Sequence, residues 1–290
     1  MEPYSLDCCL CIINQTLQAA RFAGGDTDTH ARIMTKTMKA ALDAGLDIDP
    51  PFFGTIAHRF VREETRNPDP YYEQKQTTNK QALGMVDLAR KWIESADDKF
   101  ETIVRLAIAG NSIDYALGEL DPKEVDKAIR AAVDQPVAGD FIKFRSEIEK
   151  AQTILYLTDN AGEIVYDTFL VEMLTKTFKK DVTVVVRGKP ILNDALMEDA
   201  ELVGMTKLAP VIGNGGDGLG VVFELVSDEF KEKFANADLV ICKGLANYET
   251  LGNGKREITP KKIAFLFKAK CQFIADRAKA NLGDLVVCVQ

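Results

Sequence analysis

Three short stretches of this 290-residue chain carry side chains suited to gripping a cation and an anion together. The first is Thr158-Asp159-Asn160-Ala161-Gly162-Glu163. The second is Arg187-Gly188-Lys189-Pro190, running on to Asn193-Asp194. The third is Lys243-Gly244, with Asn247 soon after. Asp and Asn supply hard oxygen ligands of the kind that Mg or Mn takes. An Asp-Asn pair with a second Asp gives three ligands and leaves positions open for water and substrate. Arg187 and Lys243 suit a phosphate, one through a planar fork and the other as a point charge. A cation bridging a phosphoryl oxygen and a water is a route to phosphoester hydrolysis. Each stretch alone has a plainer reading, because Asx residues cap helices and Gly and Pro make turns. Their recurrence at three strand exits is what points to a site.

The elements that must position these residues follow from hydrophobic patterning. β-branched runs at Thr153–Leu157, Val182–Val186 and Leu239–Cys242 precede the three stretches, and two more lie at Ile263–Phe267 and Leu285–Val289. Helical spacing appears between some of them, in Glu163–Thr177, Asp194–Leu202 and Asp228–Phe234. This alternation predicts a parallel sheet with helices on both faces and a ligand at the carboxyl ends of its strands. The last two strands lie closer together, which admits one antiparallel pair. Residues 1–150 read as helical, over Leu6–Phe22, Ala31–Leu42, Phe52–Val61, Gln81–Ile93 and Phe100–Leu117, with no convincing strand. Asp121-Pro122 predicts a further helix running to about Val133. No Pro-, Gly- or Ser-rich linker lies near residue 150. A helical domain over 1–150 is therefore expected to pack tightly on an α/β domain over 151–290.

Composition sets limits on function. Lys plus Arg is 36 against 44 Asp plus Glu, a net charge of −8, which argues against nucleic acid as a partner. The 46% hydrophobic content is that of an ordered globular chain. No apolar run approaches the roughly 18 residues of a membrane span, and the start, MEPYSLDCCLC, lacks the features of a signal peptide. A cytoplasmic protein without a membrane partner is expected. Six Cys are too few for a disulfide scaffold. Cys8, Cys9 and Cys11 form C-x-x-C with one extra thiol and leave three readings open: structural thiols, a redox pair, or part of a metal site. None of them is expected in the catalytic site. Gly213, Gly215 and Gly218 satisfy G-x-G-x-x-G, but Pro210 before them and LGVVFEL after them fit a dinucleotide site poorly. His30 and His58 are expected at the surface or as satisfied interior groups, Trp92 in the core, and Asp69-Pro70 at a helix start.

The strings TDNAGEIVYD (158–167), VRGKPILNDA (186–195) and CKGLANYE (242–249) together resemble the damage-control phosphatase family, also known as domain of unknown function 89. The N-terminal C-x-x-C, DPYYEQKQTTNKQA (69–82) and AGNSIDYALG (109–118) extend the resemblance over nearly the whole chain. The C-x-x-C is similar to that of the stand-alone archaeal and bacterial branch. The resemblance implies an αβα sandwich with a mainly parallel, Rossmann-like sheet, preceded by an all-helical N-terminal domain. It also implies a metal-dependent phosphatase acting on small phosphorylated metabolites: sugar phosphates, nucleotides or damaged phosphorylated cofactors. Asp159, Asn160 and Asp194 match the family's metal positions, for Mg, Mn, Co or Ni. Lys243 matches its phosphate contact, and Asn111 matches an Asn that faces the site from the helical region. Arg187 and Asn247 lie in matching motifs as further phosphate contacts. Glu163 is the candidate general base, and Asp159 the alternative nucleophile to water. Two other readings compete. One is an S-adenosylmethionine-dependent carboxyl methyltransferase, supported locally by the Gly-rich stretch 213–220. The other is a non-catalytic binding protein for phosphorylated metabolites.

Overall fold

The computed structural model describes residues 6–45, 49–110, 130–131, 133–135, 137–252, 260 and 262–290. Six helices come first: α1 Leu6–Ala23, α2 Thr27–Ala44, α3 Pro50–Thr65, α4 Tyr72–Leu83, α5 Val86–Ser95 and α6 Lys99–Ala109. Short acids start several of them. Asp26 accepts from the Thr29 amide at 2.8 Å, and Asp98 from the Glu101 amide at 3.0 Å, each satisfying an orphan donor of the first turn. The expected Gln81–Ile93 helix is two helices, because α4 ends at Gly84 and the chain restarts at Val86. The helix expected at Asp69-Pro70 begins at Tyr72, since Asp69 uses its side chain in a turn to the Tyr71 amide at 3.1 Å. The helix expected after Asp121, and Asn111, lie outside the described residues.

The rest is a seven-stranded sheet clad in helices: β1 Val137–Gly139, α7 Phe141–Lys150, β2 Thr153–Leu157, α8 Glu163–Glu172, β3 Asp181–Val186, α9 Met197–Leu202, β4 Val211–Gly213, α10 Asp228–Asn236, β5 Leu239–Lys243, α11 Leu245–Leu251, β6 Ile263–Lys268, α12 Gln272–Ala278 and β7 Leu285–Val289. A π-helical turn, Met173–Thr177, continues α8. The strand order is β1-β7-β6-β5-β2-β3-β4, and every pair is parallel except β6 with β7. β1 corrects the expectation of no strand before residue 150. Three residues at the sheet edge carry no alternation that periodicity can register. No helix among the described residues is long and apolar enough to cross a membrane.

Alternate side chains of each strand feed two cores. Ile154, Tyr156, Val184 and Ile241 point to the face covered by α6, α7 and α8. Leu155, Leu157, Val185 and Val240 point to the face covered by α10, α11 and α12. Both faces are buried, so the strands read as continuous apolar runs. The sheet grows outward from β2 in both directions, through β3 and β4 on one side and through β5 and β6 on the other. The carboxyl ends of β2 and β5 therefore meet at the topological switch point, where open α/β sheets bind ligands.

His58 on α3 is buried, and its Nε2 lacks a hydrogen-bond partner, so it is not the satisfied interior group expected. Burial, reinforced by Arg62, lowers its pKa from 6.5 to about 3. The fold thus refuses a proton that the unfolded chain accepts. The stability this neutral ring supports is fully present above pH 6.5 and is lost as pH falls toward 3. By pH 5 the loss is about 2 kcal/mol. His58→Leu is expected to flatten that acid limb, measured as urea midpoints at pH 7 and pH 5. An equal acid loss in both proteins would refute the assignment.

Candidate active site

Two loops are stitched together at the carboxyl edge of the sheet. The loop after β2 and the loop before α9 form an antiparallel bridge between Asn160 and Asp194. The Ala161 amide donates to the Asn193 carbonyl at 2.9 Å, and the Ala195 amide to the Asp159 carbonyl at 2.8 Å. This bridge brings Asp159 and Asn160 together with Asp194, more than thirty residues later in sequence, on the wall of one cavity of about 470 Å³. Asn160 Nδ2 donates to Asp159 Oδ2 at 2.9 Å. Gly244 sits against the Asp159 carboxylate, and a Cβ there would lie 2.1 Å from Oδ2, so the third stretch needs glycine for close approach.

The remaining expected residues lie beneath the wall and not on it. Arg187 is buried, and its Nε donates to Asp194 Oδ2 at 2.6 Å. Its other nitrogens reach the Gly220 carbonyl at 2.5 Å and Asn247 Oδ1 at 3.3 Å. Asn247 Nδ2 donates to the Lys243 carbonyl at 2.7 Å. Lys243 has no exposed surface, and its ammonium donates to Glu163 Oε1 and Asp167 Oδ1 at 2.6 Å and to the Ala107 carbonyl at 2.7 Å. Three acceptors match its three protons. Neither Lys243 nor Arg187 is among the described residues that line the cavity. The sole Lys or Arg on the described wall is Lys270.

Four carboxylates, Asp159, Glu163, Asp167 and Asp194, crowd around two cations. Burial pushes the Glu163 carboxyl up to about 8; Lys243 opposes the shift, and Asp159 and Asp167 add to it. Burial likewise lifts Asp194 to about 6, with Arg187 opposing and Asp159 adding. Asp167 is raised by burial too. Burial alone would depress the Lys243 ammonium, but Asp167 and Glu163 outweigh it and keep it charged. The site therefore holds more acid than its own cations balance, which is the electrostatic setting of a divalent cation. Among the described residues no three His, Cys, Asp or Glu side chains close on one point. The candidate set reaches three only through the Asn160 carboxamide, and all its donors are oxygens. That donor set and the acid excess fit a hard divalent metal.

Several site residues escape sequence reasoning. Asn79 on α4 accepts from the Gly162 amide at 2.7 Å and donates to Asp199 Oδ1 at 2.6 Å, while Asp199 Oδ2 accepts from the Leu196 amide at 2.8 Å. One buried amide thus clamps both loops. Asn79→Ala would orphan the Gly162 amide and unpair one oxygen of Asp199. We expect about 2–4 kcal/mol lower unfolding free energy, read from urea titration, and an unchanged midpoint would refute the clamp. Asp167 lies one turn beyond Glu163 on α8, an i,i+4 pair of acids that is legible in the sequence.

The glycine run has a packing explanation. Gly188 meets the backbone of Gly215 so closely that a Cβ would lie 2.4 Å from its nitrogen. No helix follows directly; the next begins at Asp228. Asp217 in this loop pairs with Arg59 and Arg62 of α3, both at 2.6 Å. This is not dinucleotide-binding geometry, and it removes the local support for the methyltransferase reading. Trp92 is half-buried against the core, under the Arg130 guanidinium at 4.9 Å.

The class of protein that this sheet and site define is given by comparison with known families. The family model for the damage-control phosphatase ARMT1-like domain matches residues 5–286, and the chain belongs to that family. An uncharacterised protein of Methanocaldococcus jannaschii is 35% identical, over 97% of this chain and 93% of its own length. Proteins named damage-control phosphatase from Archaeoglobus fulgidus and Pyrococcus horikoshii are 34% and 33% identical, each over 97% of this chain and at least 96% of their own length. The crystal structure of a DUF89 family protein from Pyrococcus horikoshii superposes with a TM-score of 0.87 at 31% identity, covering 99% of this chain and 98% of that one. Family membership and the two relatives so named support a phosphatase.

Proposed function

We propose that the chain is a metal-dependent phosphatase that hydrolyses phosphomonoesters of small metabolites. The observation that carries this reading is the convergence of Asp159, Asn160 and Asp194 on one cavity wall at the switch point of the sheet. These three residues would hold a divalent cation, Mg, Mn, Co or Ni. Held there, such a cation would supply Lewis-acid polarisation of a phosphoryl oxygen and a site for water. Arg187 fixes the Asp194 carboxylate through its Nε–H, and Asn247 in turn holds Arg187. Asn160 Nδ2 stands 3.4 Å from Glu163 Oε2, the atom at which Glu163 takes or holds a proton. Asp159 is the one described carboxylate placed both in the cavity and against Gly244, where it can orient the nucleophile or serve as it. Lys270 supplies positive charge for the phosphate from the wall, while Lys243 and Arg187 set the charge of the floor. A 470 Å³ cavity accommodates a sugar phosphate or a nucleotide.

The test is hydrolysis of p-nitrophenyl phosphate by chelator-stripped protein, with Mg, Mn, Co or Ni restored singly. Activity is expected to vanish on stripping, return with metal, and stay absent in Asp194→Ala. Undiminished hydrolysis in chelator would overturn the reading.

A further inference from the structure

Three thiols share the cavity with the candidate metal residues. Cys8 and Cys11 come from the first turns of α1, and Cys271 comes from the segment between β6 and α12. Cys11 and Cys271 are exposed, and none of the six cysteines is in a disulfide. The two walls belong to elements about 260 residues apart in sequence, and the cavity lies between them. Gln15 Nε2 donates to Cys11 Sγ at 3.8 Å, which fixes that thiol on the cavity side of α1.

Within α1 the C-x-x-C cannot close on itself without unwinding. A helix holds Cβ atoms three residues apart at about 5–6 Å, whereas a disulfide needs roughly 3.5–4.5 Å. The α1 helix runs unbroken through both thiols, from Leu6 to Ala23. Cys11 and Cys271 sit on different elements that face one cavity, so a bond between them leaves α1 wound and asks only that the two walls approach to within the roughly 6–7 Å between Cα atoms that a disulfide spans. Cys11 is open to solvent on one side and packed on the other; that partial burial first, then the charges of Cys271 and Glu249, raise its thiol above the ordinary value, so these groups lie within each other's field.

We propose that Cys11 and Cys271 form a reversible thiol pair that closes this cavity wall by exchange with a low-molecular-weight disulfide. One protein thiolate attacks the small disulfide and expels one small thiol. The second protein thiolate then attacks the mixed disulfide and expels the other. Two small thiols leave, the two protein thiol protons pass to them, and one protein S–S bond remains. The bond would join α1 to α12 across the mouth of the site and close a loop of about 260 residues.

The experiment treats reduced full-length protein with oxidised glutathione and maps its disulfides by peptide mass spectrometry. A Cys11–Cys271 linked peptide is expected in the wild type and in Cys8→Ser, and it should be absent from Cys11→Ser and Cys271→Ser. Oxidation should raise the thermal midpoint only in the proteins that form the link, and dithiothreitol should reverse the rise. Prior alkylation of wild-type thiols gives a control that does not depend on any variant folding. A Cys8–Cys11 link, glutathione adducts on single thiols only, or a link that survives in Cys271→Ser would each overturn the proposal. Mapping and midpoint do not involve hydrolysis, so their outcome stands apart from the phosphatase reading. Given that reading, oxidised wild type should hydrolyse p-nitrophenyl phosphate at least tenfold more slowly than its own reduced form.

Discussion

Asp159→Asn is expected to abolish metal-supported hydrolysis, by about a thousandfold or more, while leaving the metal-free protein as stable as the wild type or more so. The two effects have one cause. Asp159 adds to the repulsion that lifts Glu163, Asp167 and Asp194, so its charge is a liability until a cation offsets it. The carboxamide keeps the shape and still accepts from Asn160. Scanning calorimetry in chelator should show a midpoint that is unchanged or higher by about 2–4 °C. A fall of several degrees would mean that Asp159 is a structural group and not one held in strain for binding.

Lys243→Met should have the opposite signature, a large loss of stability. Removing one partner of a buried ion pair leaves uncompensated charge and costs about 3–5 kcal/mol. Here two carboxylates, Glu163 and Asp167, would be stranded together. Without the ammonium both carboxyls rise further above their unfolded values. A raised carboxyl contributes stability below its unfolded pKa and loses it as pH climbs through the folded one. The deficit of Lys243→Met should therefore be greatest at pH 8 and narrow toward pH 5, compared by urea midpoints with the wild type. A deficit independent of pH would show that Lys243 matters for packing alone.

The sheet was legible in the sequence because a doubly covered strand must be apolar on both faces, and Thr153–Leu157 and Leu285–Val289 announce that directly. What depends on contact between distant segments was not. β1 is three residues long and exists because β7 offers it an edge. Asp159, Asn160 and Asp194 share one cavity wall, whereas Arg187, Lys243 and Asn247 lie beneath it, because side-chain depth cannot be read from spacing. Arg187 and Lys243 look alike as anion ligands on paper, and in the fold both face acids beneath the wall. Asn79 sits in the middle of a polar helix, and nothing local shows that it reaches two loops. Cys8 and Cys11 form a motif in the sequence, while the third cavity thiol, Cys271, joins them only through the fold.

The position of β7 bears on how the chain is made. It is synthesised after both β1 and β6, yet it lies between them, and β1 hydrogen-bonds to no other strand among the described residues. The residues of β1 must wait while roughly 150 more are added, on the order of 10–30 s at ribosomal rates. Over roughly the last 20 of those residues, once β6 has been made, β6 is an unpaired apolar edge, with Phe265 and Phe267 destined for burial. A nascent chain halted before Leu285 should thus bind chaperones and expose its helical flank to proteases, and emergence of residues 285–290 should end both.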